Sequence, residues 1–280
     1  MTYRLWLSVL SWVMLLGLWA CVSVPVTPYD LGVTLQDRGD LPAALERYKE
    51  ELAIHPNHLQ ARFNLAVIYH EQHKYSAAKE QYAYILAYYP QHARSLVNLA
   101  DIAETEGDLE QAQRLLLRSV EAEPDRAYPY SFLGRFLQQQ GQHAAAQTAY
   151  ERALAIEEDA LTRYRFGMLW LQQGQTLEAK KQFTRAVERD PNDVKSLYQL
   201  ALLALHSGED SQAMHYLQRL TFLTPRHAEV FLLLGKLYMQ RGQFAAAALH
   251  FWEARNLQPD LPEVGPLLQQ VYEALQREQR

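Results

Sequence analysis

The stretch FLLLGKLYMQRGQFAAAALHFWEARNLQP, residues 231–259, sets an aromatic, a Leu-Gly pair, a tyrosine, an alanine, an aromatic and a proline at fixed intervals. In residue terms it is Phe231-x2-Leu234-Gly235-x2-Tyr238, then Ala247-x3-Phe251, then Pro259. The same order returns as Phe166-Gly167, Trp170, Ala179, Phe183 and Pro191, and as Tyr130, Leu133-Gly134, Ala146 and Tyr150. Prolines mark a 34-residue period at Pro56, Pro90 and Pro124, and again at Pro191, Pro225 and Pro259. Alanines keep it at Ala44, Ala78, Ala112 and Ala146, then at Ala179, Ala213 and Ala247. One residue is missing near Glu157-Glu158, where Glu158 stands in place of a proline. A fixed period of this length means stacked supersecondary units whose core grows by addition.

Each unit carries two apolar-periodic stretches of about a dozen residues, such as Ala61–Glu71 and Ser76–Ala87, which read as two helices. Between them a glycine (Gly39, Gly107, Gly141, Gly174, Gly208 or Gly242) supplies the left-handed turn that closes a helix. His73 takes that place in the second unit. A small residue sits at one place in each first helix: Gly32, Ala66, Ala100, Gly134, Gly167, Ala201 and Gly235. Small side chains let paired helices approach, while Tyr48, Tyr82, Tyr150, Phe183 and Phe251 fill the space between them. The proline then ends the second helix.

This pattern resembles the tetratricopeptide repeat (TPR) over about Pro28 to Asp260. The resemblance implies an all-α fold, a right-handed α-solenoid of seven TPR helix pairs with a C-terminal capping helix. The array is expected over residues 28–261 and the cap over 262–280. In the cap, Leu267, Leu268, Val271, Tyr272 and Leu275 mark one apolar face, and its polar remainder suits the end of a repeat stack.

Ahead of the array, an apolar run from Leu5 to Ala20 follows Arg4 and ends at Cys21, the only cysteine, so no internal disulfide forms. This is the layout of a secretory signal. Leu18-Trp19-Ala20-Cys21 resembles the bacterial lipobox, which implies a signal peptide over 1–20, lipidation of Cys21 and a tether over 21–27. Val22 lacks the aspartate associated with inner-membrane retention, which implies an outer-membrane lipoprotein facing the periplasm. The alternative is an uncleaved anchor: Leu5 to Val24 is long enough to cross a bilayer, and the protein is then held in the inner membrane.

The net charge of −5 argues against nucleic acid, which needs a basic face. The histidines read as scattered. His70-Glu71-Gln72-His73 lacks the one-turn spacing of a zinc motif and reads as a solvated turn, as does His55-Pro56-Asn57-His58. There is no nucleophile elbow, phosphate loop, dinucleotide glycine set or C-x-x-C. No catalytic residues, metal ligands, cofactors or small-molecule substrates are expected, and the chain does not read as an enzyme.

In the TPR resemblance the first helices line a concave groove that takes peptides. The inward positions are then Asp30, Asn64, Asn98, Phe132, Arg165, Gln199 and Leu233. One place earlier stand Tyr29, Phe63, Val97, Ser131, Tyr164, Tyr198 and Leu232, and Asp101 and Arg135 add opposite charges. Asn64 and Asn98 resemble the start of an asparagine ladder, in which an amide both donates to and accepts from a peptide backbone. The candidate groove is Asn64, Asn98, Asp101, Arg135, Tyr164, Arg165, Tyr198 and Gln199. The lipoprotein and repeat features together resemble bacterial TPR lipoproteins, a group with pilotins and peptidase adaptors. The expected role is a membrane-tethered scaffold for protein partners in envelope or pilus assembly. The alternative is an accessory or regulatory subunit, anchored in the inner membrane, that delivers substrates to an envelope enzyme.

Overall fold

The computed structural model describes residues 26–278, so the signal or anchor segment, Cys21 and most of the tether lie outside the described residues. The described chain folds as fifteen α-helices with no strand. It divides into two compact units, residues 1–108 and 109–280.

The first unit holds α1 (Pro28–Asp37), α2 (Leu41–Ile54), α3 (Leu59–Glu71), α4 (Tyr75–Tyr88) and α5 (Ala93–Thr105). A capping box starts α1: the Thr27 side chain accepts from the Asp30 amide, and the Asp30 carboxylate accepts from the Thr27 amide. The second unit holds α6 (Leu109–Ala122), α7 (Ala127–Gln139), α8 (His143–Ile156), α9 (Ala160–Gln172) and α10 (Thr176–Arg189). It continues with α11 (Val194–His206), α12 (Asp210–Leu223), α13 (Ala228–Gln240), α14 (Phe244–Leu257) and α15 (Val264–Glu278). The helices expected over 61–71 and 76–87 are thus each longer by two residues.

All six turn glycines have φ between 70° and 84°, and His73 adopts 57° in the same role. In the first-helix series the glycines face rings. A methyl at Gly32 would meet Tyr48, at Gly134 Tyr150, at Gly167 Phe183 and at Gly235 Phe251, each closer than 3 Å. Ala201 instead shares a cluster with Leu217, a narrower side chain that leaves room for the methyl. Ala66, by contrast, shares its cluster with Tyr82, so at that pair a methyl and a ring are accommodated together.

Loops between repeats are braced by arginines. Arg62 donates from Nε and Nη2 to the Pro56 carbonyl (2.9 and 2.7 Å) and from Nη1 to Gln81 Oε1 (2.8 Å). Arg163 occupies the matching place where the loop is one residue short and lacks proline. Its Nη1 donates to Gln182 Oε1 (2.7 Å), but Nε and Nη2 grip the Glu158 carboxylate. Arg189 adds a bond from Nε to the Glu158 carbonyl (3.1 Å). The ion pair thus substitutes for the contact that a proline carbonyl provides elsewhere.

In α15, Val264, Leu268 and Val271 are buried against α14, with Leu267 and Leu275 at the edge. Tyr272 lies off that face: it is exposed, and its hydroxyl accepts from Trp252 Nε1. A ring two turns on from Val264 falls outside the stripe that meets α14, and its polar end finds the indole instead.

Candidate protein-binding surface

In the first unit, each ladder asparagine faces a tyrosine sixteen residues upstream. Asn64 Nδ2 donates to Tyr48 Oη (3.1 Å) and Asn98 Nδ2 to Tyr82 Oη (3.0 Å). The Tyr48 hydroxyl itself donates to Gln36 Oε1 (2.7 Å). In the second unit Tyr150 donates to Gln138 Oε1 (2.9 Å), and the positive charge of Arg165, fifteen residues on through the shortened loop, acts on its hydroxyl. Burial pushes the Tyr82 and Tyr150 hydroxyls well above the ordinary tyrosine range, so they stay protonated donors.

At the matching positions where the upstream residue is Leu217, the downstream one is Leu233, and both enter a single apolar cluster. At Asn64 and Asn98 the polar side chain thus partners a buried hydroxyl, whereas Gln199 follows Phe183, which has none. We expect Asn98→Leu to lower stability by about 1–2 kcal/mol through the orphaned Tyr82 hydroxyl. The double variant with Tyr82→Phe should recover most of that loss in urea denaturation. Full loss in the double variant would mean that Asn98 stabilises by another route.

Asp101 Oδ2 lies 3.3 Å from His70 Nε2. His70 is thus not part of a solvated turn: the end of α3 packs beside α5, and the imidazole is mostly buried there. Of the loop histidines, His55 is exposed, as the solvated reading expects, and His58 is half-buried. His55 Nδ1 lies 2.9 Å, and His58 Nδ1 4.0 Å, from Oε1 of the buried Glu51.

The other five predicted residues lie in the second unit. Arg165 stacks on Phe132 (4.6 Å to the ring centroid) and donates to Ser131 Oγ (2.9 Å). Arg135 approaches the same ring at 5.8 Å. Arg165, Phe132, Ser131, Tyr128 and Thr162 line a recess of about 270 Å³. Tyr164, Tyr198 and Gln199 come together with Lys195, His227 and Val230 around a second recess of about 170 Å³. Lys195 Nζ lies 5.8 Å from the Tyr164 ring centroid. Burial and then the Glu229 carboxylate hold the Tyr198 hydroxyl above its ordinary range. The two recesses share a register: Ala127, Tyr128, Ser131 and Phe132 of α7 stand at the positions of Val194, Lys195, Tyr198 and Gln199 of α11.

Three of the ten histidines form a series. Tyr29 meets His58 at 4.6 Å between ring centroids, Phe63 meets His92 at 5.4 Å and Tyr198 meets His227 at 5.6 Å. Each histidine is the residue before a first helix, and each ring comes from the preceding first helix. The 34-residue step from His58 to His92 was the available signal for this series. Among the described residues no group of three or more His, Cys, Asp or Glu is placed to hold a metal ion.

Models of the tetratricopeptide repeat match residues 69–136 and 171–230, residues 29–78 and 211–262, and residues 127–159, together more than half of the chain. The chain belongs to the tetratricopeptide-repeat family. Its fold is the all-α helical-repeat solenoid of that family. TPR proteins are in general non-enzymatic scaffolds for protein interaction.

A TPR protein from Parabacteroides merdae is 20% identical, with a TM-score of 0.55 over 88% of this chain and 97% of that one. PilW, described as a widely conserved type IV pilus biogenesis factor, is 20% identical with a TM-score of 0.62, over 76% of this chain and 99% of PilW. PilF of Pseudomonas aeruginosa is 20% identical with a TM-score of 0.57, over 66% and 86%. At these identities the likeness is one of fold. No curated protein sequence matches the chain.

Proposed function

We propose that this TPR protein is a membrane-tethered adaptor that binds protein partners through the surface of its first helices, in bacterial envelope or pilus assembly. The observation that carries this reading is the repeated recess of the second unit. In each, a cation stands beside a ring and polar groups line the rim: Arg165 of α9 over Phe132 of α7, and Lys195 of α11 near Tyr164 of α9. Tyrosines offer large area at low entropic cost, and Gln199 can both donate to and accept from a peptide backbone. In the first unit, Asn64 and Asn98 each spend one donor on a tyrosine and keep an amide oxygen and a second N–H for a ligand. Asp101 and Arg135 supply charge for steering. The fold of the pilus-biogenesis neighbours supports the envelope setting, and acylation of Cys21 would supply the tether, which concentrates the array near its partners.

The test is capture from envelope extract by wild type and by Asn64→Ala/Asn98→Ala/Tyr198→Ala, with circular dichroism to verify folding. A partner lost only by the folded triple variant supports the first-helix surface; retention of every partner overturns it. For the tether, Cys21→Ala should abolish acyl labelling and membrane retention. Unchanged retention would leave the inner-membrane anchor.

One observation favours the accessory-subunit reading. Phe222 on α12 is 87% exposed beside a depression of about 330 Å³ lined by Asn192, His215, Gln218 and Arg219. An aromatic presented this way on a second helix suits a partner held on the face away from the first helices. Phe222→Ser would then remove a partner that the triple variant retains.

A further inference from the structure

The first loop of the array places one imidazole nitrogen between a proton donor and a proton acceptor. His58 Nδ1 lies 3.3 Å from the Ala61 amide, which donates to it as the N-terminal cap of α3. A backbone N–H can only donate, so this bond requires neutral His58 with its proton on Nε2. The same Nδ1 lies 4.0 Å from Glu51 Oε1 on α2. Glu51 is only 4% exposed, and its Oε2 has no hydrogen-bond partner. A buried carboxylate left half-satisfied favours any added donor.

We infer that His58 is a proton-driven switch: neutral, it caps α3; protonated, it releases the Ala61 amide and donates to Glu51. Protonation removes the lone pair that the cap needs and places positive charge at the positive end of the helix dipole. Both effects push the ring off the cap, and the carboxylate draws it the other way.

The groups around the ring set the direction. From α1, the Tyr29 ring contacts it at 4.6 Å between centroids. Asp30, whose carboxyl is held low chiefly by the Thr27 hydroxyl, adds attraction for the charged form. From α2 comes Glu51, and from the loop His55, already bonded to Glu51 Oε1 at 2.9 Å. On α3, Arg62 is turned to the Pro56 carbonyl and the Tyr84 ring. Because Tyr29 rests on the imidazole, the switch moves an aromatic at the start of the first-helix surface. It operates whether or not that surface binds a peptide.

The test is NMR of the full chain between about pH 8 and pH 5, the range in which histidine titrates. The His58 imidazole and the Ala61 amide should shift with one midpoint. Ala61 amide exchange, corrected for its intrinsic pH dependence, should be about fivefold faster at the acid end, the effect of one lost cap. His58→Asp installs the residue that caps α9 and α11 here, Asp159 and Asp193, and should give protection that is flat with pH. Glu51→Gln should move the midpoint to lower pH. Unchanged Ala61 protection while His58 titrates overturns the switch, and so does a wild-type step that persists in His58→Asp.

Discussion

Replacing Gly167 with alanine is expected to lower stability by about 1–3 kcal/mol, although the change adds one methyl and suits a helix. The new Cβ would lie 2.5 Å from Phe183 Cε1 and 2.8 Å from Cδ1. Phe183 has no room to retreat, since it is fully buried with Tyr164 5.9 Å away. The remedy is already present elsewhere in the chain, where Ala201 shares its cluster with Leu217. Phe183→Leu alone should cost on the order of 1 kcal/mol as a cavity. Combined with Gly167→Ala it should cost clearly less than the two changes summed, since each relieves the other. Urea denaturation of the four proteins, with amide exchange read on α9 and α10, checks this. Simple additivity would show that the α9–α10 contact is soft.

Arg163→Ala should cost about 2–3 kcal/mol. The guanidinium is almost fully buried, and its loss strands Gln182 Oε1 and leaves the shortened loop without its brace. Little of the effect is the ion pair itself, because Glu158 is half exposed and solvent screens it. The sign of the pH dependence follows from Glu158. Hydrogen bonds from Arg163 hold its carboxyl below the ordinary range, so this contribution is complete above the unfolded carboxylate's pKa. It is lost as pH falls through the folded value, and the difference between wild type and variant should narrow under acid. Arg163→Met, which restores the stem but not the charge, should recover part of the loss at every pH. A variant as stable as wild type in thermal melts would mean that the short loop needs no brace.

The fold was legible because its determinants repeat. The turn glycines and His73 adopt the backbone that their positions required, and helices α3 and α4 extend the expected segments only at their ends. The surface was less legible because the role of a polar residue depends on a neighbour one helix away. Asn64 and Asn98 read as a ligand ladder, and in the structure each also satisfies a tyrosine hydroxyl. His58 and His92 were visible as a 34-residue pair, but their meaning came from Tyr29 and Phe63, which the fold seats against them. Arg165 stood out as one position in a series; the recess it shares with Thr162 needed the packing of α7 against α9. In each case local periodicity located the residue, and tertiary neighbours decided its work.

The pairing of Tyr48 with Asn64 and of Tyr82 with Asn98 also bears on how such a chain can grow or shrink. At these junctions the second helix presents a side chain that only some successors accept: the Tyr48 and Tyr82 hydroxyls each take an amide, and Leu217 sits with apolar Leu233. Excising the 34 residues from Leu59 through His92 would leave Tyr48 facing Asn98 and keep the match. An excision that set Tyr82 against Leu233 would bury a hydroxyl with nothing to bond. The repeats look interchangeable in outline, yet their contact chemistry assigns each one its place in line.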